Sequence, residues 1–388
     1  MNGAYIARYL IDSALTCENR GMSDTISADL RYSRQIALPG FGHDAQGKLA
    51  GARVLVIGAG GLGSSVLPSL AAAGVGTAGI GAIGIVDDDR VETSNLHRQL
   101  IHTPADVGNA KVSSAAESIA ALNPATRVEV IDQRLTSDSA LELFALYDLI
   151  LDGSDNFPTR YLAADAATLT GIPLVWGAVS QYSGQVGVSW AERGPQYRDL
   201  FPTPPPPGSV LSCEAGGVLP TVVSVIGSLM AGEAIKIITG VGVPLIGRVT
   251  TFDSLSGGFR ELSYEKDPEA EPVTQLVDYD LFCGVAPTEA GLSARDLAAE
   301  LATDDNGIDL VDIREPWEIE LASIPGSRAA SVDELLADPP ESAVLYCHHG
   351  VRSAAALQRL AERGVTARHL EGGIDAWSRE VDAEIARY

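Results

Sequence analysis

The stretch RVLVIGAGGLGSS, residues 53–65, constrains this chain's fold more than any other. Its apolar run reads as a buried strand, the glycines as a tight turn, and Leu62–Ala73 as a helix, which together open a strand–helix–strand unit. Backbone N–H groups of Gly58, Gly60, Gly61 and Gly63, with the helix N-terminus behind them, can hold a nucleotide phosphate. The same spacing satisfies GxGxxG, so nicotinamide or flavin binding stays open beside ATP chemistry.

The rhythm continues downstream. AIGIVD, RVEVID, DLILDG and PLVWGAV read as strands separated by helical stretches such as Lys111–Leu122, which predicts a parallel sheet covered on both faces. TPPPPG, at 203–208, can join neither a ladder nor a helix and reads as an exposed crossing segment. TVVSVIGSLMAGEAIKIITG then reads as a long buried helix ending at Gly240. Periodicity fails over 267–292, where prolines and acidic residues predict a linker between a first domain, 28–266, and a second, 293–388. The second repeats an α/β pattern: helix 293–302, strands IDLVDI and AVLYC, helix 352–363, and LEGGIDAW leading into a last helix. Residues 1–27 read as an N-terminal extension, with Met22 a possible alternative start.

A formal charge of −24 repels phosphate backbones and anionic membranes, arguing against nucleic acid or membrane partners. No uninterrupted apolar span is long enough to predict a transmembrane helix, and the N-terminus lacks a secretory layout, so a cytoplasmic location is expected. Cys17, Cys213, Cys283 and Cys347 lie far apart with no CxxC pair, as expected of reduced thiols.

Beyond the glycine loop comes DDDRVETSNLHRQ, from Asp87 to Gln99, then VGNAK ending at Lys111, then DGSDN from Asp152 to Asn156. Asp87, at a strand end, could bind ribose hydroxyls. Asn95, Arg98 and Lys111 could surround a triphosphate, and Asp155 could hold Mg²⁺. Two cations and a magnesium ligand suit attack on phosphorus; hydride transfer needs neither. A nicotinamide-dependent oxidoreductase is therefore the weaker alternative.

With RYSRQ, GAGGLG, SNLHRQ, VGNAK, DGSDN and SCEAGGVLP in place, residues 28–265 resemble the MoeB/ThiF family of ubiquitin-activating-type adenylyltransferases. The resemblance implies a Rossmann-like adenylation domain. In it ATP and the C-terminal glycine of a small ubiquitin-like sulfur carrier, of the MoaD, ThiS or CysO kind, react to an acyl-adenylate. It assigns Gly58, Gly60, Gly61, Gly63, Asp87, Ser94, Asn95, Arg98, Lys111, Asp155 and Asn156 to the nucleotide, with Asp155 on magnesium. It also implies a homodimer in which Arg34 reaches the neighbouring subunit's site. Two departures stand out: between Gly76 and Asp87 the strand reads about five residues longer than the family's, which leaves the register of 77–86 open, and there are no cysteines where many relatives hold structural zinc. Residues 196–199 read QYRD, so no structural zinc is expected.

YCHHGVRS, at 346–353, places Cys347 between a strand and a helix N-terminus, where inward N–H groups and Arg352 stabilise a thiolate. Adjacent His348 and His349 make a metal site the poorer reading. Four residues separate Cys347 from Arg352, a loop one residue tighter than a tyrosine-phosphatase cradle and suited to sulfur. With VDIREPWEIELASIPGS and LEGGIDAW, residues 293–388 resemble a rhodanese domain, and the domain order resembles fused MoeZ-type proteins. The resemblance implies that a Cys347 persulfide, charged by a cysteine desulfurase or by thiosulfate, attacks the acyl-adenylate. Cys213, with Cys283 as a backup alternative, would then release the thiocarboxylate. A non-catalytic carrier scaffold is the remaining alternative, and the intact Cys347 loop argues against it.

Overall fold

A computed structural model describes residues 30–205, 216–270, 272–283, 290–303, 307–340, 342–361 and 363–387. The extension, Cys17 and Cys213 lie outside the described residues. The chain forms two compact units that meet in sequence between Phe282 and Cys283.

The first unit is built on an eight-stranded sheet of order β3-β2-β1-β4-β5-β6-β7-β8. β1 (Arg53–Ile57), β2 (Ala82–Val86), β3 (Val128–Ile131), β4 (Leu149–Asp152) and β5 (Leu174–Ser180) are parallel. β1, β2 and β4 bury almost every residue, as strands covered on both faces must. The sequence reading missed the extension: β6 (Ser183–Ser189), β7 (Arg248–Asp253) and β8 (Gly258–Ser263) continue the sheet in antiparallel fashion. Strand order reverses between β1 and β4, and ligands of open α/β sheets bind in the crevice beyond the strand ends at that point. The glycine loop after β1 and the DGSDN loop after β4 both open there.

The helix Gly61–Ala73 contains Pro68 and packs against Pro220–Thr239, which ends at Gly240 in the left-handed conformation, φ +76°. Pro220–Thr239 is long and apolar enough to cross a membrane, but Val222, Ile226 and Met230 are fully buried against this sheet and helix. The extra residues after Gly76 do not lengthen a strand. They form a turn, in which Ala78 N–H donates to Ala50 O (2.9 Å), and β2 begins only at Ala82.

The stretch expected as a linker is packed in part. Tyr279–Phe282 forms a helical turn, and buried Tyr279 donates its hydroxyl to Asp165 Oδ2 at 2.6 Å. Arg198 holds the same carboxylate through two hydrogen bonds, 2.7 and 2.6 Å, and lies over the Phe282 ring. Gly291–Leu292, also placed in the linker, is β9.

The second unit has a five-stranded parallel sheet, order β11-β10-β12-β13-β9, with β10 (Asp309–Asp312), β11 (Arg328–Ala329), β12 (Ala343–Tyr346) and β13 (Ala367–Leu370). Its core gathers Leu297, Leu310, Val344, Tyr346, Leu370 and Trp377 on one face and Val311, Leu345, Ala356 and Leu360 on the other. Cys347 follows the central strand, β12.

Candidate active sites

The glycine loop is shaped by two contacts. Gly58 has φ +89°, where a side chain would be strained. A Cβ on Gly63 would lie 2.2 Å from Gly58 O, so the helix start can approach the strand end only without one. Ala59 is gripped on both sides: its N–H donates to Asp87 Oδ2 at 2.7 Å, and its carbonyl accepts from His102 Nε2 at 2.9 Å.

Asp87 directly follows β2, and its Oδ1 accepts from Asp89 N–H at 2.9 Å; burial raises its pKa. Lys111 is buried at the start of its helix, with Nζ 2.7 Å from Asp89 Oδ2. Burial works against its charge, but Asp87, Asp89 and Asp155 outweigh it and hold the ammonium above its usual range. The loop, Asp87, Lys111 and Asp155 therefore share one electrostatic neighbourhood. Asp155 is exposed, and an exposed carboxylate beside a phosphate-binding loop fits a hard cation such as Mg²⁺, whose remaining ligands are water and phosphate oxygens.

The other nucleotide candidates have local duties too. Asn95 is buried, and its Oδ1 accepts from Glu92 N–H at 3.2 Å, closing the turn Thr93–Asn95. Arg98 Nη1 donates to Ser94 O at 2.9 Å, and exposed Ser94 donates to Glu92 Oε2 at 3.4 Å. Asn156 Oδ1 accepts from Thr159 N–H at 2.9 Å, capping the helix Phe157–Thr170. Arg34 is exposed on the helix at 30–36.

Sequence reasoning missed three supports. His102 sits beneath the loop, with Nδ1 2.7 Å from Ser114 Oγ. Asp152 is fully buried, its pKa raised by that burial despite Arg160 Nε at 3.7 Å; its Oδ1 accepts from Ser154 N–H at 2.9 Å. Arg160 Nη2 donates to Ser154 O (2.8 Å) and Gly177 O (3.1 Å), tying the Asp155 loop to β5. DGSDN, quoted for Asp155, was the available signal for Asp152; nothing local marks His102.

Where zinc cysteines were sought, Asp199 is a hydrogen-bonding bridge. Its Oδ2 accepts from Gln196 N–H at 2.6 Å and its Oδ1 from Asp267 N–H at 2.9 Å. These oxygen and amide groups form no thiolate site.

In the second unit Cys347 is 1% exposed, its Sγ 3.7 Å from Ser353 Oγ. Fully buried Ser353 lies 3.0 Å from Gly350 O and 3.3 Å from His369 Nδ1. Gly350, at φ +84°, turns the chain into the helix Val351–Ala361. Cys347 O accepts from Ile374 N–H (2.9 Å) and His348 O from Asp375 N–H (3.1 Å), which locks the cradle to the helix Gly373–Glu380. Arg352 forms a two-pronged pair with Glu318 at 2.7 and 2.6 Å. Burial resists Glu318's charge, yet Arg352 carries its pKa below the usual carboxylate range. Arg314, likewise, grips Asp312 at 2.9 and 2.6 Å with neither side chain exposed by more than 1%.

The His348 and His349 rings stack at 4.0 Å and 13°, and His348 is lowered to about 4 by burial and by His349. Donor atoms of His348, His349 and Asp375 lie within 4.8 Å of one another. Asp375 is also paired with Arg379 (3.0 Å) and Arg387 (2.7 Å). Asp375 thus centres an ion-pair cluster beside the stacked rings.

Comparison with known proteins agrees with both geometries. Residues 32–273 match the ThiF family model and residues 293–380 the rhodanese-like domain model. The chain is 46% identical, over 92% of its length and 95% of the relative's, to the "Probable adenylyltransferase/sulfurtransferase MoeZ" of Mycobacterium tuberculosis. It is 50% identical to a Thermus thermophilus "Sulfur carrier protein adenylyltransferase", over 66% of this chain and 96% of that one. An Anopheles gambiae "Adenylyltransferase and sulfurtransferase MOCS3" is 40% identical over 92% of this chain and 88% of the relative. Escherichia coli MccB shares the fold, at 21% identity and a TM-score of 0.55 over 62% of this chain and 74% of that one. The nicotinamide alternative finds no support among them. The chain belongs to the ThiF family, as an adenylyltransferase that also carries a rhodanese-like sulfurtransferase domain.

Proposed function

We propose that the chain uses ATP to activate the C-terminal glycine carboxylate of a ubiquitin-like sulfur carrier and then delivers sulfur to it from Cys347. The observation that carries the first half is Lys111, buried among Asp87, Asp89 and Asp155 at the mouth of a glycine loop. A carrier carboxylate oxygen attacks the α-phosphorus and pyrophosphate leaves. Lys111 and Arg98 offset charge on the phosphates, the loop amides hold them, and Asp87 takes the ribose. Magnesium on Asp155 supplies further charge neutralisation when bound.

In the second half the Cys347 persulfide attacks the acyl-adenylate carbonyl, AMP departs, and an acyl disulfide remains on Cys347. The Cys213 thiolate attacks the Cys347 sulfur, expelling the carrier thiocarboxylate and leaving a Cys213–Cys347 disulfide. A cellular thiol reductant must open that disulfide before the next turnover. The sulfane sulfur comes from a cysteine desulfurase persulfide or thiosulfate. The enzyme works in the cytoplasm as a homodimer, with Arg34 completing the partner's site and without structural zinc.

Carrier-dependent exchange of labelled pyrophosphate into ATP tests the first half. Thiocarboxylate formation, read by a 16 Da gain in carrier mass as oxygen is replaced by sulfur, tests the second. Neither signal with any of the three carrier types would overturn the reading.

A further inference from the structure

We infer that His102 is a positioning residue for ATP: by holding the Ala59 carbonyl inward, it aims the Gly60 amide at the phosphates. The inference rests on the glycine loop being the ATP site.

A backbone carbonyl can only accept, so His102 Nε2, 2.9 Å from Ala59 O, must carry the proton. In the neutral ring Nδ1 is then the acceptor for the Ser114 hydroxyl at 2.7 Å. The imidazole is 5% exposed, and burial lowers its pKa, with nearby Lys111 adding to the effect and Asp106 and the Ala59 bond opposing it. Burial thus favours the neutral ring, in which the tautomer with its proton on Nε2 satisfies both contacts.

The consequence lies across the peptide bond. In a trans peptide the C=O of one residue and the N–H of the next point in opposite directions. With Ala59 O turned into the protein, Gly60 N–H is turned out of it, beside the open end of the helix Gly61–Ala73. Among the described residues neither the Gly60 nor the Gly61 amide has an acceptor, whereas Gly58 N–H is taken by Val86 O at 2.9 Å and Ala59 N–H by Asp87. The loop thus divides its amides into two that fix its shape and two left for a ligand. Without His102 the Ala59–Gly60 peptide is free to rotate, and buried Ala59 O loses its only hydrogen-bond donor among the described residues. Rotation would direct a carbonyl oxygen at a polyphosphate.

The test compares His102→Ala, His102→Gln and Ser114→Ala in the full-length chain. Calorimetric binding of a non-hydrolysable ATP analogue needs no carrier and reports on the loop directly. The expected result is about tenfold weaker binding for His102→Ala, the loss of one hydrogen bond to a charged group. His102→Gln, whose amide can still donate to Ala59 O, should recover to within about threefold. Ser114→Ala should fall between. In pyrophosphate exchange the KM for ATP should rise in step while the carrier KM and kcat stay within about twofold, as for an interaction made equally in ground and transition states.

A folded His102→Ala variant that binds the analogue as wild type does would overturn the inference. So would equal weakening in His102→Ala and His102→Gln, or parallel rises in both KM values, since those are marks of a general structural role. Should His102→Ala not fold, wild-type affinity in Ser114→Ala together with tenfold weakening in His102→Gln would also refute it. Failure of wild-type protein to bind the analogue would instead refute the ATP site itself.

Discussion

Gly63→Ala is the sharpest perturbation of the adenylation site, because it adds a single carbon where two backbone segments touch. The added Cβ would lie 2.2 Å from Gly58 O, against about 3.3 Å for the closest ordinary carbon–oxygen approach. About 1 Å of movement must be found. Gly58 cannot readily supply it: its N–H is bonded to Val86 O at 2.9 Å, and it faces Gly153 across β4's end. The helix start, carrying the loop amides, must therefore shift. A 1 Å displacement in a phosphate-positioning element costs on the order of 100-fold in rate, and such overpacking costs roughly 1–3 kcal/mol in stability. Carrier-dependent pyrophosphate exchange should fall about 100-fold, while thiosulfate:cyanide sulfurtransfer in the same sample stays near wild type. Exchange within threefold of wild type in the variant would show that the close approach of Gly58 and Gly63 is not what shapes the site.

Cys347→Ser should abolish sulfurtransfer and thiocarboxylate formation but spare pyrophosphate exchange, whereas Asp155→Ala should abolish exchange, and with it thiocarboxylate formation, but spare thiosulfate:cyanide sulfurtransfer; loss of both exchange and thiosulfate:cyanide sulfurtransfer in either folded variant would break the two-site mechanism. Arg34→Ala and Asp155→Ala homodimers should each be inactive in exchange, yet randomly reassorted dimers should regain about a quarter of wild-type activity, because half are mixed and each mixed dimer has one whole site. No recovery despite proven subunit exchange would put Arg34 in its own chain's service. Glu318 is held below its unfolded value of 4.5, so its pairing stabilises the fold above that pH and the contribution is lost as pH falls through the lower folded value. Acid melting curves of Glu318→Gln should therefore lack a stability loss that wild type shows below about pH 4.5; identical slopes would count against the pairing.

Local signals made the parallel core, the glycine turn, the long helix to Gly240 and the Cys347 cradle legible, because each is written in contiguous residues with a period or a turn chemistry. What escaped depended on distant partners. His102 gains its meaning from Ala59, 43 positions away, and Tyr279 from Asp165, 114 positions away. The proline and acidic residues around Tyr279 and Phe282 made the segment read as unstructured, although two aromatics were enough to anchor it. β6–β8 escaped for another reason: β8 is exposed along most of its length and lacks the apolar run by which buried strands were found. The residues after Gly76 were misjudged because apolar Ala78, Ile80 and Ala82 continue a strand-like pattern through what is a turn.

The Asp199 carboxylate ties the peptide group of Gln196 to that of Asp267, 68 positions beyond Asp199 itself, by hydrogen bonds. The clasp is made by one carboxylate and two amides, with no sulfur to be oxidised. In a chain that also carries a rhodanese-like sulfurtransferase domain, that composition keeps this clasp of the ThiF unit outside the reach of sulfur chemistry. Sulfane sulfur and stray oxidants have no thiolate there to attack.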